Sequence, residues 1–169
     1  GRGPRRVAGE STAWRLPPEA TVWFQTSTTS YEEVYRPARA AGVFTKNLFS
    51  AAPVQYCQKK LKKSAQARAV IINSGCANAC TGKQGMADTV WTAKELASGL
   101  GVKAQDVLVA STGVIGRHLP RPALGRGIKM LVGQLKKSAA PSTEDAVRAI
   151  MTTDTRPKAA RTTFVVGST

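Results

Sequence analysis

Three segments of the chain concentrate residue types able to do chemistry. The first, Asn73-Ser74-Gly75-Cys76-Ala77-Asn78-Ala79-Cys80-Thr81-Gly82, packs amides, hydroxyls and glycines directly behind a β-branched run. Small side chains let backbone amides approach a ligand or a second chain segment, so this loop reads as a site floor or as a tight connection. In the second, Ser111-Thr112-Gly113-Val114-Ile115-Gly116, an apolar run ends on a hydroxyl beside a glycine. A Thr hydroxyl next to a Gly amide can aim two donors at one developing negative oxygen, as acyl-transfer intermediates require; the alternative is a strand-ending turn. The third, Thr152-Thr153-Asp154-Thr155, offers three hydroxyls and a carboxylate. It suits the amino or carboxylate group of an amino acid, or else a polar helix terminus.

Other chemistries find less. The spacing of Gly75, Gly82 and Lys83 does not fit the phosphate-cradling pattern G-x-x-x-x-G-K-[ST], so nucleotide binding is unsupported. His118 is the single histidine; Ser111 beside it lacks a G-x-S-x-G context and an identifiable orienting carboxylate, which makes a weak triad. Cys76 and Cys80 have a tolerable metal spacing, but no second cysteine pair completes four ligands, so no metal site is expected. With Cys57 the cysteine count is odd, which suits a reducing compartment better than a disulfide framework.

The net charge of +15 invites a nucleic-acid partner. Residues 1–39 carry six basic and four acidic side chains and residues 40–169 carry nineteen and six, so the excess is spread out. Only Lys59, Lys60, Lys62 and Lys63 form a run, and no aromatic residue interleaves with it as a stacking platform would demand. A solvated basic face suited to small anionic substrates fits better. A basic nucleic-acid- or partner-binding protein without catalysis is the competing reading. No apolar run approaches the roughly 20 residues that span a bilayer. Arg2, Arg5, Arg6 and Arg15 could be the remnant of an organellar presequence, against which Glu10 and Glu19 count.

These segments need elements to hold them. Residues 1–40 show no sustained periodicity. Arg68–Asn73 reads as a buried strand, followed by a loop to about Met86. Met86, Val90, Ala93 and Ala97 then share a helical face that Gly99 and Gly101 stop. Asp106–Ala110 is a second buried strand, breaking at Ser111-Thr112-Gly113. After Pro120 and Pro122, a helix carries Leu124, Ile128, Leu131, Val132 and Leu135 on one stripe and ends at Lys136 and Lys137. Ser142 with Asp145 resembles a capping box opening a third helix through Val147, Ile150 and Met151. Strand, helix, strand, helix predicts an α/β layered architecture within the size range of one domain.

Several segments together resemble one family, the ornithine acetyltransferases, or bifunctional glutamate N-acetyltransferases, of arginine biosynthesis. The matching residues are Ala41-Gly42-Val43-Phe44-Thr45-Lys46-Asn47, Ala51-Ala52-Pro53-Val54, Ile72 to Ala79 with Thr81-Gly82, Ser111 to Gly116, and Ala149 to Thr155, in that order. They cover roughly residues 40–163. The resemblance implies an α/β fold of layered sheet and helices in which a precursor cuts itself into an α and a β chain, the new N-terminal threonine of the β chain being the nucleophile. Residues 40–169 would be the α-chain-like portion, incomplete without the β chain, and residues 1–39 a divergent segment.

By the same resemblance, Thr112 and Gly113 would form the oxyanion hole, and Thr152, with Thr153 as alternative, would contact the amino-acid substrate. Acetyl would pass from N2-acetylornithine to glutamate, with acetyl-CoA as a further substrate in bifunctional members and no cofactor. Two α and two β chains would assemble, in the mitochondrial matrix or else a plastid or the cytoplasm. The family's lysine-glycine segment and Ala-Thr cleavage site are not found here, and Thr169 is not their equivalent. No nucleophile is expected in these residues.

Overall fold

The computed structural model describes residues 21–25, 37–136, 143–151 and 153–158, with only the backbone path for 21–25 and 143–146. In chain order the elements are strand β1 (Thr21–Gln25), strand β2 (Ala38–Arg39), helix α1 (Ala52–Lys63), strand β3 (Gln66–Ala67), strand β4 (Ala69–Cys76) and helix α2 (Gly82–Leu100). A 3-10 turn at Ala104–Asp106, strand β5 (Val107–Val114), helix α3 (Arg121–Leu135) and helix α4 (Thr143–Ile150) follow.

β4 is the centre of a three-stranded sheet of order β1-β4-β5. It runs parallel to β5, with Ala69 opposite Val107 and Cys76 opposite Val114, and antiparallel to β1, with Thr21 opposite Ser74. Parallel neighbours need a crossover, and α2 supplies it. β2 and β3 form a separate two-stranded pair.

Strand alternation distributes the core between two faces. Ala69 and Ile71 of β4 and Val107 and Val109 of β5 pack with Ala93, Leu96 and Leu100 of α2 and Leu124, Ile128 and Val132 of α3. Cys57 of α1 joins this side, its thiol donating to the Val109 carbonyl at 3.2 Å. On the opposite face, Ile72 packs against Ala149 of α4. Helices therefore cover both faces, and the α/β layering expected from the sequence is observed.

Three local expectations change. β5 does not break at Ser111 but stays paired to Val114, because β4 also continues and offers Asn73 to Cys76 as partners. α2 starts at Gly82, one turn before the apolar face becomes readable. Its first turn is held instead by Asn78, fully buried at φ 48°, which donates to the Gly85 carbonyl and the Thr89 hydroxyl at 2.9 Å each and accepts from Thr81 Oγ1 at 2.8 Å. Gly85 is needed there, since a Cβ would lie 1.8 Å from Thr81 Oγ1. β1 lies within residues that show no periodicity; its position comes from pairing with β4. The stop at Gly101 stands as expected: it takes φ 70° and donates to the Ser98 carbonyl, while the Val102 amide reaches the Ala97 carbonyl. Lys137 and the Ser142 cap lie outside the described residues.

Candidate active site

The carboxyl ends of β4 and β5 bring the first two chemical segments side by side. In open α/β sheets ligands settle at this end of the strands. Asn73 stands opposite Ser111, Ser74 opposite Thr112, and Gly75 opposite Gly113. The two glycines take φ 117° and 126°. A Cβ on Gly113 would lie 2.3 Å from the Gly75 carbonyl carbon, so the strands cross here at a distance only glycine permits. Pairing continues beyond, the Ala77 amide donating to the Val114 carbonyl and the Gly116 amide to the Ala79 carbonyl, both at 2.9 Å.

Side chains alternate across this double strand. Ser111 Oγ donates to Asn73 Oδ1 at 2.5 Å, and Asn73 Nδ2 donates to the Cys76 carbonyl at 2.8 Å. Thr112 and Ser74, one residue on, belong to the other face, where Ser74 Oγ donates to the Met151 carbonyl at 3.3 Å. α4 ends at Ile150, the Met151 carbonyl is held by Ser74, which stands opposite Thr112, and Thr153 follows two residues later, exposed. Thr112 is half-buried and Gly113 exposed. Thr152 lies outside the described residues. Asp154 accepts from Lys158 Nζ at 2.6 Å.

The segment Asn73–Gly82 has two structurally distinct parts. Asn78 to Thr81 is a tight connection whose polar groups are used internally, whereas Asn73 to Gly75 borders Thr112. Ser111 and His118 do not pair. The serine hydroxyl is committed to Asn73, and His118 Nδ1 faces Asp88 Oδ2 at 4.0 Å. Asp88 is the carboxylate the sequence did not reveal. It is buried in α2, accepts at Oδ1 from Arg121 Nε at 2.7 Å and Gln84 Nε2 at 2.8 Å, and leaves Oδ2 without a hydrogen bond. Arg121 also stacks 5.3 Å from the Trp91 ring. Nearby, Lys83, Met86, Val90 and Lys94 line a shallow depression of about 490 Å³ with Trp91 and Arg121.

Among the described residues, the cysteines are free thiols, Cys57 and Cys76 buried and Cys80 exposed, and no three metal-ligating side chains cluster. Cys76 Sγ caps the Arg117 carbonyl at 3.2 Å. The titratable groups most shifted from their ordinary values lie at the far end of β5. Burial raises the Tyr56 hydroxyl and the Cys57 thiol and lowers the Lys60 amine to about 8. Tyr56 and Lys60 both donate to the Ala104 carbonyl before β5 begins, so they belong to the packing of α1.

Helices on both faces of a mixed sheet, with a Thr-Gly pair at the carboxyl end of a parallel strand, define an α/β protein. The chain belongs to the ArgJ family, whose profile matches residues 29–169. It is 50% identical over 122 residues to the "Arginine biosynthesis bifunctional protein ArgJ" of Synechocystis, covering 72% of this chain and 29% of that protein. To the chloroplastic ArgJ of Physcomitrium patens it is 46% identical, covering 78% and 25%. Two solved structures match with a TM-score of 0.63. One is the ornithine acetyltransferase of Mycobacterium tuberculosis complexed with ornithine, 44% identical and covering 70% of this chain and 63% of that one. The other is the ArgJ bifunctional protein of Bacillus halodurans, 30% identical and covering 81% and 82%. The chain thus spans less than a third of these two curated relatives but most of one solved chain.

Proposed function

We propose that this chain is the α-chain portion of a glutamate N-acetyltransferase of arginine biosynthesis, moving acetyl from N2-acetylornithine to glutamate. The reading is supported by the Thr112-Gly113 pair at the end of β5, where Ser74, opposite Thr112, donates to the Met151 carbonyl at the end of α4. A threonine hydroxyl on a β chain attacks the acetyl carbonyl, its proton passing to the terminal amine of the same threonine. The tetrahedral oxyanion takes hydrogen bonds from the Thr112 hydroxyl and the Gly113 amide. Collapse expels ornithine with a proton and leaves acetyl-threonine; the glutamate amine then attacks through the same hole and restores the threonine. Thr152 or Thr153 holds the amino-acid end of the substrate. Acetyl-CoA is the second donor if the protein is bifunctional, and the chemistry calls for no metal or redox cofactor.

A self-cleaving precursor is the source of the two chains in this reading, which then assemble as two α and two β. Its support is the coverage pattern: under a third of curated ArgJ proteins, yet 82% of one solved ArgJ chain. Val43, Val114 and Ile115, in segments that carry the family resemblance, and Leu48 and Phe49, between two of those segments, are exposed apolar residues, as surfaces awaiting a partner would be. The plant relatives are named chloroplastic, which supports the plastid alternative, and the relatives give no support to the mitochondrial matrix. They equally give none to a nucleic-acid-binding protein.

The test is an acetyl-transfer assay on the complete protein, following acetylglutamate formed from acetylornithine. Transfer that depends on both amino acids supports the reading. Absent transfer together with salt-sensitive nucleic-acid binding would replace it with the non-catalytic alternative.

A further inference from the structure

Asn73 and Ser74 are adjacent on the central strand and face opposite ways, and each ends on a different half of the proposed site. Asn73 is 2% exposed and makes two side-chain hydrogen bonds beside the glycine pair, accepting from Ser111 Oγ and donating to the Cys76 carbonyl. It thus ties β5 one residue before Thr112 to β4 one residue after Gly75. Ser74, 6% exposed, reaches the Met151 carbonyl on the other face. A backbone at φ 117° and 126° on paired glycines has no side chains of its own to fix it.

We propose that Asn73 and Ser74 are positioning residues of the transfer reaction: Asn73, through Ser111, sets the direction of the Thr112 and Gly113 donors, and Ser74, through Met151, sets the distance of the amino-acid-binding segment from them. The inference rests on the oxyanion-hole reading above. It assigns separate kinetic consequences to neighbouring residues. Misaimed donors lose stabilisation only where charge develops, so the Asn73–Ser111 clip governs kcat. A displaced binding segment weakens ground and transition states alike, so Ser74 governs KM.

The experiment is steady-state kinetics of the complete protein carrying Ser111→Ala, Asn73→Ala, both together, Ser111→Thr, Ser74→Ala and, as a reference, Thr112→Ala. Ser111→Ala is expected to lower kcat at least 10-fold with KM within about 3-fold, in the range of one misplaced donor. The double variant should be no slower than Asn73→Ala, since the two side chains are ends of one bond. Ser111→Thr, which keeps the hydroxyl, should recover most of the loss, and Ser74→Ala should raise KM for the amino acids about 5-fold or more at nearly unchanged kcat. Because Ser111 is only half-buried, its alanine variant keeps the test decisive if Asn73→Ala does not fold. Unchanged kcat in folded Ser111→Ala, or unchanged KM in Ser74→Ala, overturns the proposal provided Thr112→Ala is slow. If Thr112→Ala is itself unimpaired, the oxyanion reading has failed and this proposal falls with it.

Discussion

Gly113→Ala should be among the most damaging single-methyl additions in the molecule. The added Cβ would lie 2.3 Å from the Gly75 carbonyl carbon, 2.5 Å from its oxygen and 2.7 Å from the Cys76 nitrogen, all backbone atoms of the central strand. No rotamer change can relieve contacts with backbone, so β4 and β5 must separate by roughly 1 Å to reach ordinary van der Waals distance. A non-glycine residue at φ 126° adds conformational strain. Strain of about 1–3 kcal/mol and overpacking of about 1–3 kcal/mol together predict a loss of roughly 2–6 kcal/mol. Gly116 supplies the control. It also has positive φ, 79°, but a Cβ there meets nothing within 4 Å, so Gly116→Ala should cost only about 1–2 kcal/mol. Denaturant unfolding of the complete protein, with Gly113→Ala and Gly116→Ala in parallel, measures the difference. Equal losses in the two variants would refute the argument that the glycine pair is required by the closeness of the strands.

Two further expectations concern other parts of the fold. The Lys60 amine is held at about 8, by burial against the opposing pull of Asp106 and Cys57, so between about pH 8 and 10.5 the unfolded chain binds more protons and stability rises with pH. Burial of Tyr56 and Cys57 acts in the opposite sense as they approach their own titrations, so the contribution is read as wild type minus Lys60→Met in urea midpoints across that window; a flat difference contradicts it. Arg121→Ala leaves the buried Asp88 carboxylate without its cation and uncovers Trp91, and should cost about 2 kcal/mol, less than for a fully enclosed pair because Arg121 is 39% exposed. Arg121→Lys should not restore it, since a lysine supplies neither the Nε contact nor the planar stack.

Strand and helix existence was legible wherever one physical pattern dominated. The β-branched run at Val70–Ile72 and the stripe from Leu124 to Leu135 are such cases, because burial on one face imposes the period. Boundaries were less legible. Nothing local tells Ser111-Thr112-Gly113 to continue as strand; that depends on Asn73 to Gly75 lying alongside, a contact 38 residues away in sequence. The start of α2 was hidden because its first turn is held by polar groups of Asn78 and Thr81 rather than by an apolar face. In the site, Thr112 and Gly113 could be singled out as donors from residue type, and the resemblance supplied their role. The tie between this strand end and the end of α4 could not be read, since it passes through a single hydroxyl, that of Ser74, to the Met151 carbonyl. Asp88 was invisible for a similar reason: a lone acidic residue on a helix gives no sign that Arg121 will fold over it.

The central claim is that Thr112 stabilises an oxyanion, and kcat and KM of Thr112→Ala in the complete enzyme test it most directly. A donor acting where charge develops predicts a fall in kcat of about 10²–10³ at nearly unchanged KM. Thr112→Ser should keep much more activity, and, on the proposal that the precursor cuts itself, the alanine variant should accumulate uncut precursor, because such a cleavage would pass through a tetrahedral adduct of the same kind. A Thr112→Ala enzyme that matures normally and turns over at the wild-type rate would contradict the account and leave Ser111 to Gly116 as the end of a strand with no part in chemistry.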